Sequence, residues 1–492
     1  DGGANWTKIT SESIKGIPAK AFVNDIRADL FDAGTVYAAL DNHKTGDFKP
    51  YLIKSTDKGK TWTSIKGDLP ERTIVWRIVQ DEKNKNLLFA ATEFGVYFTS
   101  NGGKNWVELT GGVGQIAFRD IKIQRDAGDL VAGSFGRGIY ILDDIEPLRS
   151  FDTSVMNEDA TLFKVKPAYH FTQRSDAGGQ GDTEYAGENP PYGAVFTYYM
   201  ADNLKSHKEE RKAKEKDADN VKFPGWDEIE TEVREQDPAI MLTVKDSNGE
   251  VVNTVKGTNK KGFNRVNWEL DYADRSGVKL ENPEGAGDRG YFRYSMMASP
   301  GDYTVTLSKL VDGKMTQLGE PQSFKVIPLQ EGALPGASQA DIDAFRTDFQ
   351  TFQQDITATN IVLDKSIKRV KAMKVALDRS KKPSSQLYST IYDTREKLMD
   401  IDQQLNGDQT KEIIGEHGDP TPGSGTRIGM MALNTSYGPT ENHKAAFAYA
   451  QKQLSAVKSQ LKQIDNVVLS QLEQRLKAAG APWIEGDGLI EN

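Results

Sequence analysis

The chain has 492 residues, 62 Lys+Arg against 71 Asp+Glu for a net charge of −9, 37% hydrophobic residues and no cysteine. The length predicts about three domains, and the missing thiols exclude cysteine nucleophiles, Cys-ligated zinc, iron–sulfur clusters and disulfides, as fits a cytosolic chain or a bacterial extracytoplasmic one. The acidic balance argues against a nucleic-acid or anionic-membrane partner; no run approaches the roughly 20 apolar residues of a membrane span, and the first residues lack a signal-peptide pattern.

The first 150 residues repeat a short unit. Ser55-Thr56-Asp57-Lys58-Gly59-Lys60-Thr61-Trp62 recurs as Thr99-Ser100-Asn101-Gly102-Gly103-Lys104-Asn105-Trp106, and the opening Asp1-Gly2-Gly3-Ala4-Asn5-Trp6 is the same unit without its leading Ser/Thr. In Ser/Thr-x-Asp-x-Gly-x-x-Trp the Asp or Asn accepts bonds from its own turn, and Gly takes a backbone conformation that Cβ-bearing residues avoid. The Trp buries a large ring against neighbouring strands. The predicted structural set is therefore Asp1, Gly3, Trp6, Asp57, Gly59, Trp62, Asn101, Gly103 and Trp106. Around each copy lie strand-like runs: Asn24–Ala28, Thr35–Leu40 and Tyr51–Lys54; Val75–Val79, Leu87–Ala91 and Gly95–Phe98; Asp120–Gln124, Asp129–Ala132 and Gly138–Leu142. Three or four short strands per unit of about 45 residues is the pattern of propeller blades. These residues resemble the Asp-box (BNR) repeats of sialidases, xyloglucanase-type glycosidases and sortilin-type propellers, in which the box is structural. A calcium role for the Asp-x-x-Gly turns lacks the six or more oxygens that ion takes. Residues 1–150 thus read as the last three or so blades. A ring needs roughly four or more, so the reading expects an N-terminal remainder of the same propeller, in a longer protein or as a docked partner.

From 151 to 330 the pattern becomes alternating strands, including Ala194–Tyr199, Ala239–Val244, Gly262–Trp268, Pro300–Leu307 and Gln322–Pro328. Together they predict an immunoglobulin/fibronectin-like β-sandwich. A charged insertion at about 201–237 contains Leu204–Lys216, read as a solvated mixed-sign helix or loop rather than a docking tail.

Residues 336–480 read as an antiparallel helical bundle. Ser338-Gln339-Ala340-Asp341 offers a capping start, followed by Ile342, Phe345, Phe349, Phe352, Ile356, Leu363, Val370, Met373 and Leu377 at alternating three- and four-residue steps, with Thr359 and Ser366 in polar slots. A second helix carries Leu387, Ile391, Leu398, Ile401 and Leu405; a third carries Phe447, Leu454, Val457, Leu461, Ile464, Val468 and Leu472 and stops at Gly480-Ala481-Pro482. The glycine-rich stretch 406–438 is expected as a long loop, and 481–492 as a tail.

With Gly136-Arg137-Gly138, Asn189-Pro190-Pro191-Tyr192-Gly193-Ala194, Gly262–Trp268, Ser299-Pro300-Gly301-Asp302-Tyr303 and Gly438-Pro439-Thr440, the chain resembles the C-terminal half of large bacterial sortilin-like BNR-repeat proteins, common in Bacteroidota and often labelled glycosyl hydrolases. The resemblance implies the order propeller, sandwich, helical segment, and export from the cytoplasm. It transfers architecture and compartment better than chemistry.

The catalytic residues are unknown at this level. His43, His170, His207, His417 and His443 lack metal-ligand spacing, and no His-Glu-x-x-His or Gly-x-Ser-x-Gly occurs. Gly111-Gly112-Val113-Gly114 lacks the strand–helix context of a nucleotide loop, so no cofactor and no metal is expected. Glycoside hydrolysis needs two carboxylates roughly 5–9.5 Å apart. Asp25, Asp29, Glu93 and Asp120 lie near blade strands, with Arg27, Arg77, Arg119 and Arg137 available for a sialidase-like cluster, but nothing ranks one pair above another. The expectation is an exported, non-catalytic interaction or scaffold protein binding a protein or glycan, with a cell-envelope assembly as a possible setting. The alternative is a glycoside hydrolase of sialidase or xyloglucanase type.

Overall fold

A computed structural model describes residues 3–151, 153–173, 189–216, 220–275, 277–278, 280, 296–330, 332–416, 418–435 and 437–485. Asp1, His417 and most of the 481–492 tail therefore lie outside the described residues. The chain divides into two units, one of Asp1–Tyr169, Gly181–Glu269 and Gly301–Ile327, the other of His170–Gln180, Leu270–Pro300 and Pro328–Asn492.

The first unit begins with three antiparallel meanders. They are β1 (Phe22–Ala28), β2 (Val36–Asn42), β3 (Asp47–Ser55) and β4 (Thr63–Ser64); β5 (Val75–Gln80), β6 (Leu88–Thr92), β7 (Gly95–Thr99) and β8 (Val107–Glu108); and β9 (Phe118–Gln124), β10 (Asp129–Ser134) and β11 (Ile139–Leu142), paired in chain order. Alternation explains how the sheets stack. In β2, Tyr37 and Ala39 join Leu88, Ala90 and Tyr97 of the second sheet, while Ala38 and Leu40 turn the other way to Ile14 and Ile53. In β6, Leu88 and Ala90 face the first sheet and Phe89 and Ala91 join Phe118, Ile121 and Leu130 of the third. A strand covered on both faces favours apolar residues at successive positions, and Leu88–Ala91 is one continuous apolar run. Each large side chain so buried contributes about 1.5–3 kcal/mol. The outer faces differ: Ile139 and Ile141 of β11 are 71% and 60% exposed, and Val23 and Ile26 of β1 are also exposed.

Helix α1 (Glu146–Arg149) follows β11. Its Arg149, buried, donates to Asp81 at 2.8 Å and to Glu146 at 2.7 Å, tying α1 to the end of β5. The chain continues through β12 (Ala160–Leu162), β13 (Ala168–His170), β14 (Ala194–Met200), α2 (His207–Lys216), α3 (Trp226–Arg234), β15 (Ala239–Asp246), β16 (Val251–Gly257), β17 (Gly262–Trp268), β18 (Gly301–Val311), β19 (Lys314–Gln317) and β20 (Gln322–Pro328). One sheet has the order β12-β14-β17; the other runs β13-β20-β18-β15-β16, with β19 paired to β18. Aromatic rings join their inner faces: Phe196 meets Phe324 at 5.6 Å, and Trp268 meets Tyr303 at 5.2 Å and Phe324 at 6.2 Å. The charged insertion forms the helical pair α2–α3, with Arg211 of α2 bonded to Glu232 of α3 at 2.5 Å.

The second unit holds α4 (Gln339–Asp378), α5 (Ser385–Asn406), α6 (Gln409–Ile413), α7 (Pro422–Leu433), α8 (Glu441–Gln463) and α9 (Ser470–Ala478), with a π-helical turn at Ile464–Leu469. Ser338 and Ser384 cap α4 and α5 by accepting the Asp341 and Leu387 amides at 3.2 Å. Phe447 of α8 meets Phe345, Phe349 and Phe352 of α4 at 5.1, 5.8 and 5.1 Å.

Two expectations need correction here, and one seam gains a residue. The stretch 406–438 is not a loop throughout, since it contains α6 and α7. Gly425 and Gly429 lie one turn apart on α7 and let its backbone approach Phe352, Phe349 and Ala450, so these glycines serve packing rather than chain freedom. In the last helix Val468 packs half-buried against the core and Leu472 is buried as expected, while the π turn brings Leu469 into the core as an additional buried residue. Leu270–Pro300, read as part of the sandwich segment, groups with the helices: Arg346 of α4 donates to Tyr272 and, at 2.6 Å, to Ser299, while Met296 enters the helical core.

Candidate functional site

Antiparallel meanders have two ends. The connections β3–β4 and β7–β8 lie at one end and carry the repeated Asp/Asn turns. Ser55 Oγ accepts the Gly59 amide at 2.8 Å; Asp57 accepts the Thr61 amide at 2.8 Å and the Thr61 hydroxyl at 2.6 Å. The second copy repeats this, with Thr99 Oγ1 accepting Gly103 N at 3.0 Å and Asn101 accepting Asn105 N at 3.0 Å. Gly59 and Gly103 have φ of +84° and +94°. A Cβ there would meet Ile9 at 2.9 Å and Ile65 at 2.8 Å, so the residue three after each Trp sits on the glycine of the following turn. Trp62 and Trp6 donate to their own Gly59 and Gly3 carbonyls at 3.1 and 2.8 Å, whereas buried Trp106 reaches back to the Ile65 carbonyl at 3.0 Å. Trp6 is exposed.

The opposite end is built from the starts of β1, β5 and β9 and the connections β2–β3, β6–β7 and β10–β11. It gathers a different chemistry. The Arg119 guanidinium of β9 lies over the Trp76 ring, 3.7 Å from its centroid, and 5.5 Å from the centroid of the Phe135 ring. Glu93 in the β6–β7 turn accepts the Trp76 indole N–H at 2.8 Å and pairs with Arg119 at 3.3 Å. His43 approaches the same indole edge-on at 5.9 Å and is bonded to Asp41. Phe94, Phe22 and Phe135 remain exposed, Phe135 at 72%. The Arg119–Trp76 and Arg119–Glu93 contacts link the third sheet to the second, and His43–Trp76 links the first to the second, so the face spans all three. Its cation–π and ring contacts are the kind that dominate binding energetics when a partner desolvates them.

The carboxylates that sequence singled out are occupied. Asp25 accepts the Ile78 amide at 3.1 Å and pairs with Arg27 at 3.1 Å. Asp120 pairs with Arg77 at 3.6 Å and accepts the Ile121 amide at 2.9 Å, and Arg77 also donates to the Asn24 carbonyl. Asp29 lies toward the other end, where Tyr37 and Gln80 donate at 2.7 and 2.8 Å and the Phe31 and Asp32 amides at 2.8 and 2.9 Å. Burial would raise the Asp29 carboxyl; the Tyr37, Phe31, Gln80 and Asp32 bonds outweigh it and hold it below the usual range. Burial, then Asp29, pushes the Tyr37 phenol upward. Arg137 lies in the β10–β11 turn beside Phe135.

The structure thus brings Arg119, Glu93 and Trp76 together and leaves Asp29 apart. Sequence reading passed over Trp76 and Phe135 as chemistry. The available signal was position, an aromatic beside Arg77 in an inner strand and another in a Gly-rich turn. Asp143 and Asp144, whose carboxyls burial raises, lie after β11 at the turn-bearing end, where Arg265 donates to their backbone carbonyls at 2.9 and 3.3 Å. Of the histidines, burial pushes His170 downward, His443 completes the Thr440 capping box of α8, and His207 pairs with Glu235.

No protein-family model matches the chain, and no curated protein does. Among solved structures it is similar to PorZ of Porphyromonas gingivalis, described as a surface component of the type-IX secretion system, at 13% identity and a TM-score of 0.22 over 62% of this chain and 30% of that one. It is similar to an ancestral GH74 enzyme at 13% identity and TM-score 0.22, over 62% and 35% of the two chains. The GH74 xyloglucanase of Xanthomonas campestris gives 10% identity and TM-score 0.21, over 60% and 38%. The matched region spans about a third of each of those chains, and likeness of that extent assigns no activity. No described helix is long and apolar enough to cross a membrane.

Proposed function

We propose that this chain is an exported bacterial interaction protein without catalytic activity, and that it binds a protein or glycan partner through the Trp76–Arg119–Phe135 face. In this reading the three meanders are consecutive blades of an Asp-box β-propeller, residues 151–330 form an immunoglobulin- or fibronectin-like spacer, and the helical unit serves docking. The observation that carries it is the pairing of an exposed aromatic and arginine face with carboxylates already held by neighbours. Asp25, Glu93 and Asp120 each accept a protein donor and pair with an arginine, whereas a glycosidase acid needs freedom to exchange a proton. The exposed Ile139 and Ile141 on the third sheet and Val23 and Ile26 on the first support further blades stacking at either side.

The test is hydrolysis of a panel of xyloglucans, sialosides and other polysaccharides by the wild type and by Glu93→Gln and Asp120→Asn. The proposal expects no turnover above background for any of them. Turnover by the wild type that either substitution abolishes would overturn it in favour of a glycoside hydrolase.

A further inference from the structure

The insertion and a distant hairpin meet at one point. His207 opens α2, Glu235 directly follows α3, and Asp312 sits in the β18–β19 turn with a φ of +49°. One potential ligand atom from each lies within 4.8 Å of the other two. The Glu235 carboxylate is 6% exposed and lies 3.1 Å from His207 Nδ1; both of its oxygens also accept the His207 amide at 2.9 Å. Among the described residues neither Glu235 nor Asp312 pairs with a lysine or arginine, although α2 alone carries four lysines and an arginine. Arg211 instead turns to Glu232 and Glu215. Two carboxylates held close with no lysine or arginine between them, and only the His207 imidazole beside Glu235, repel each other, and a metal cation held by all three groups removes that cost.

We propose that His207, Glu235 and Asp312 bind a divalent transition metal of the zinc class. An imidazole nitrogen with two carboxylate oxygens suits zinc better than calcium or magnesium, which favour all-oxygen shells. Ligand bonds of about 2.0–2.2 Å place neighbouring donor atoms roughly 3 Å apart, and the His207–Glu235 separation already matches that edge. Three protein ligands leave a position for water. The bound ion fastens the charged helical pair α2–α3 to the β18–β19 hairpin within the same unit, so its role is to order the insertion. The residues come from three separate stretches, so no spacing motif announces them.

The experiment is isothermal titration of the chelator-treated full-length chain with zinc chloride, alongside His207→Ala and Asp312→Asn. Both side chains are on the surface, and metal-free melting of the variants checks that they fold as the wild type does. The proposal expects saturable binding at one site per chain and a loss of at least about tenfold in association constant for each variant. It also expects zinc to slow proteolysis within α2–α3 in the wild type and not in the variants. Absence of binding up to about 1 mM zinc, affinity unchanged in both variants, or calcium binding as tightly as zinc would each overturn it.

Discussion

Asp57 and Asn101 occupy equivalent turns, and their difference is a natural experiment in charge. Asp57 titrates at about 2, held there by the Thr61 hydroxyl and amide and by Ser55. A carboxyl whose folded pKa is depressed contributes stability that is present above its unfolded pKa of about 3.9 and is lost as pH falls through the folded value. Asn101 makes the same amide bond without titrating and turns its Nδ2 to Asn105 at 3.2 Å. Asp57→Asn is therefore expected to reduce the decline of melting temperature between about pH 4 and pH 2 while leaving the value at pH 7 nearly unchanged, because Thr61 Oγ1 can accept from the new amide. Thermal melts across that range check it; an unaltered acid decline would show that the Asp57 bonds do not couple to folding. At this scale the turns were legible because the bonds that shape them, from Ser55 or Thr99 and from Asp57 or Asn101, are local, although Trp106 reaches back to Ile65. The Arg119–Trp76–Glu93 cluster was not, because the strand phase that aims each side chain is set by neighbouring sheets.

Among the elements, α7 shows how composition can mislead. Glycine costs about 1 kcal/mol relative to alanine in a helix interior, so Pro422-Gly423-Ser424-Gly425 with Gly429 reads as a loop. Packing overrides that propensity: a Cβ at Gly429 would stand 2.2 Å from the ring of Phe349, which is fully buried. Gly429→Ala gains helix propensity of about 1 kcal/mol but forces an overpacking cost of about 1–3 kcal/mol or more, and at so short a distance the clash wins. The expected outcome is net destabilisation of the helical unit by about 1–3 kcal/mol in denaturant unfolding followed by circular dichroism. Gly423→Ala, whose Cβ would meet only Thr421 Oγ1 at 3.4 Å, is the control and is expected to be neutral or slightly stabilising. Equal effects at the two positions would refute the close-packing account. The seams of α4 and α5 were readable because their period is regular; the additional buried Leu469 was hidden because a π turn leaves no compositional mark.

For the whole molecule, strand grammar and helix seams located the sheet-rich and helical parts. The division into two units was less accessible, because Leu270–Pro300 joins the helices through individual contacts such as Arg346 with Tyr272 and Ser299 rather than through any periodic pattern. The two ends of the meanders also differ in kind. One end is closed by local polar turns, and the other presents aromatic and arginine side chains drawn from all three sheets. That asymmetry is the basis for assigning binding to the second end, and it can be tested residue by residue in the native cell. A photo-crosslinking side chain is placed at Phe135, and separately at Lys60 on the turn-bearing end, in the full-length protein. The account predicts a discrete partner adduct from position 135, lost when Arg119→Ala is added, and none from position 60. Adducts from position 60 alone, or adducts from position 135 that persist with Arg119→Ala, would contradict it.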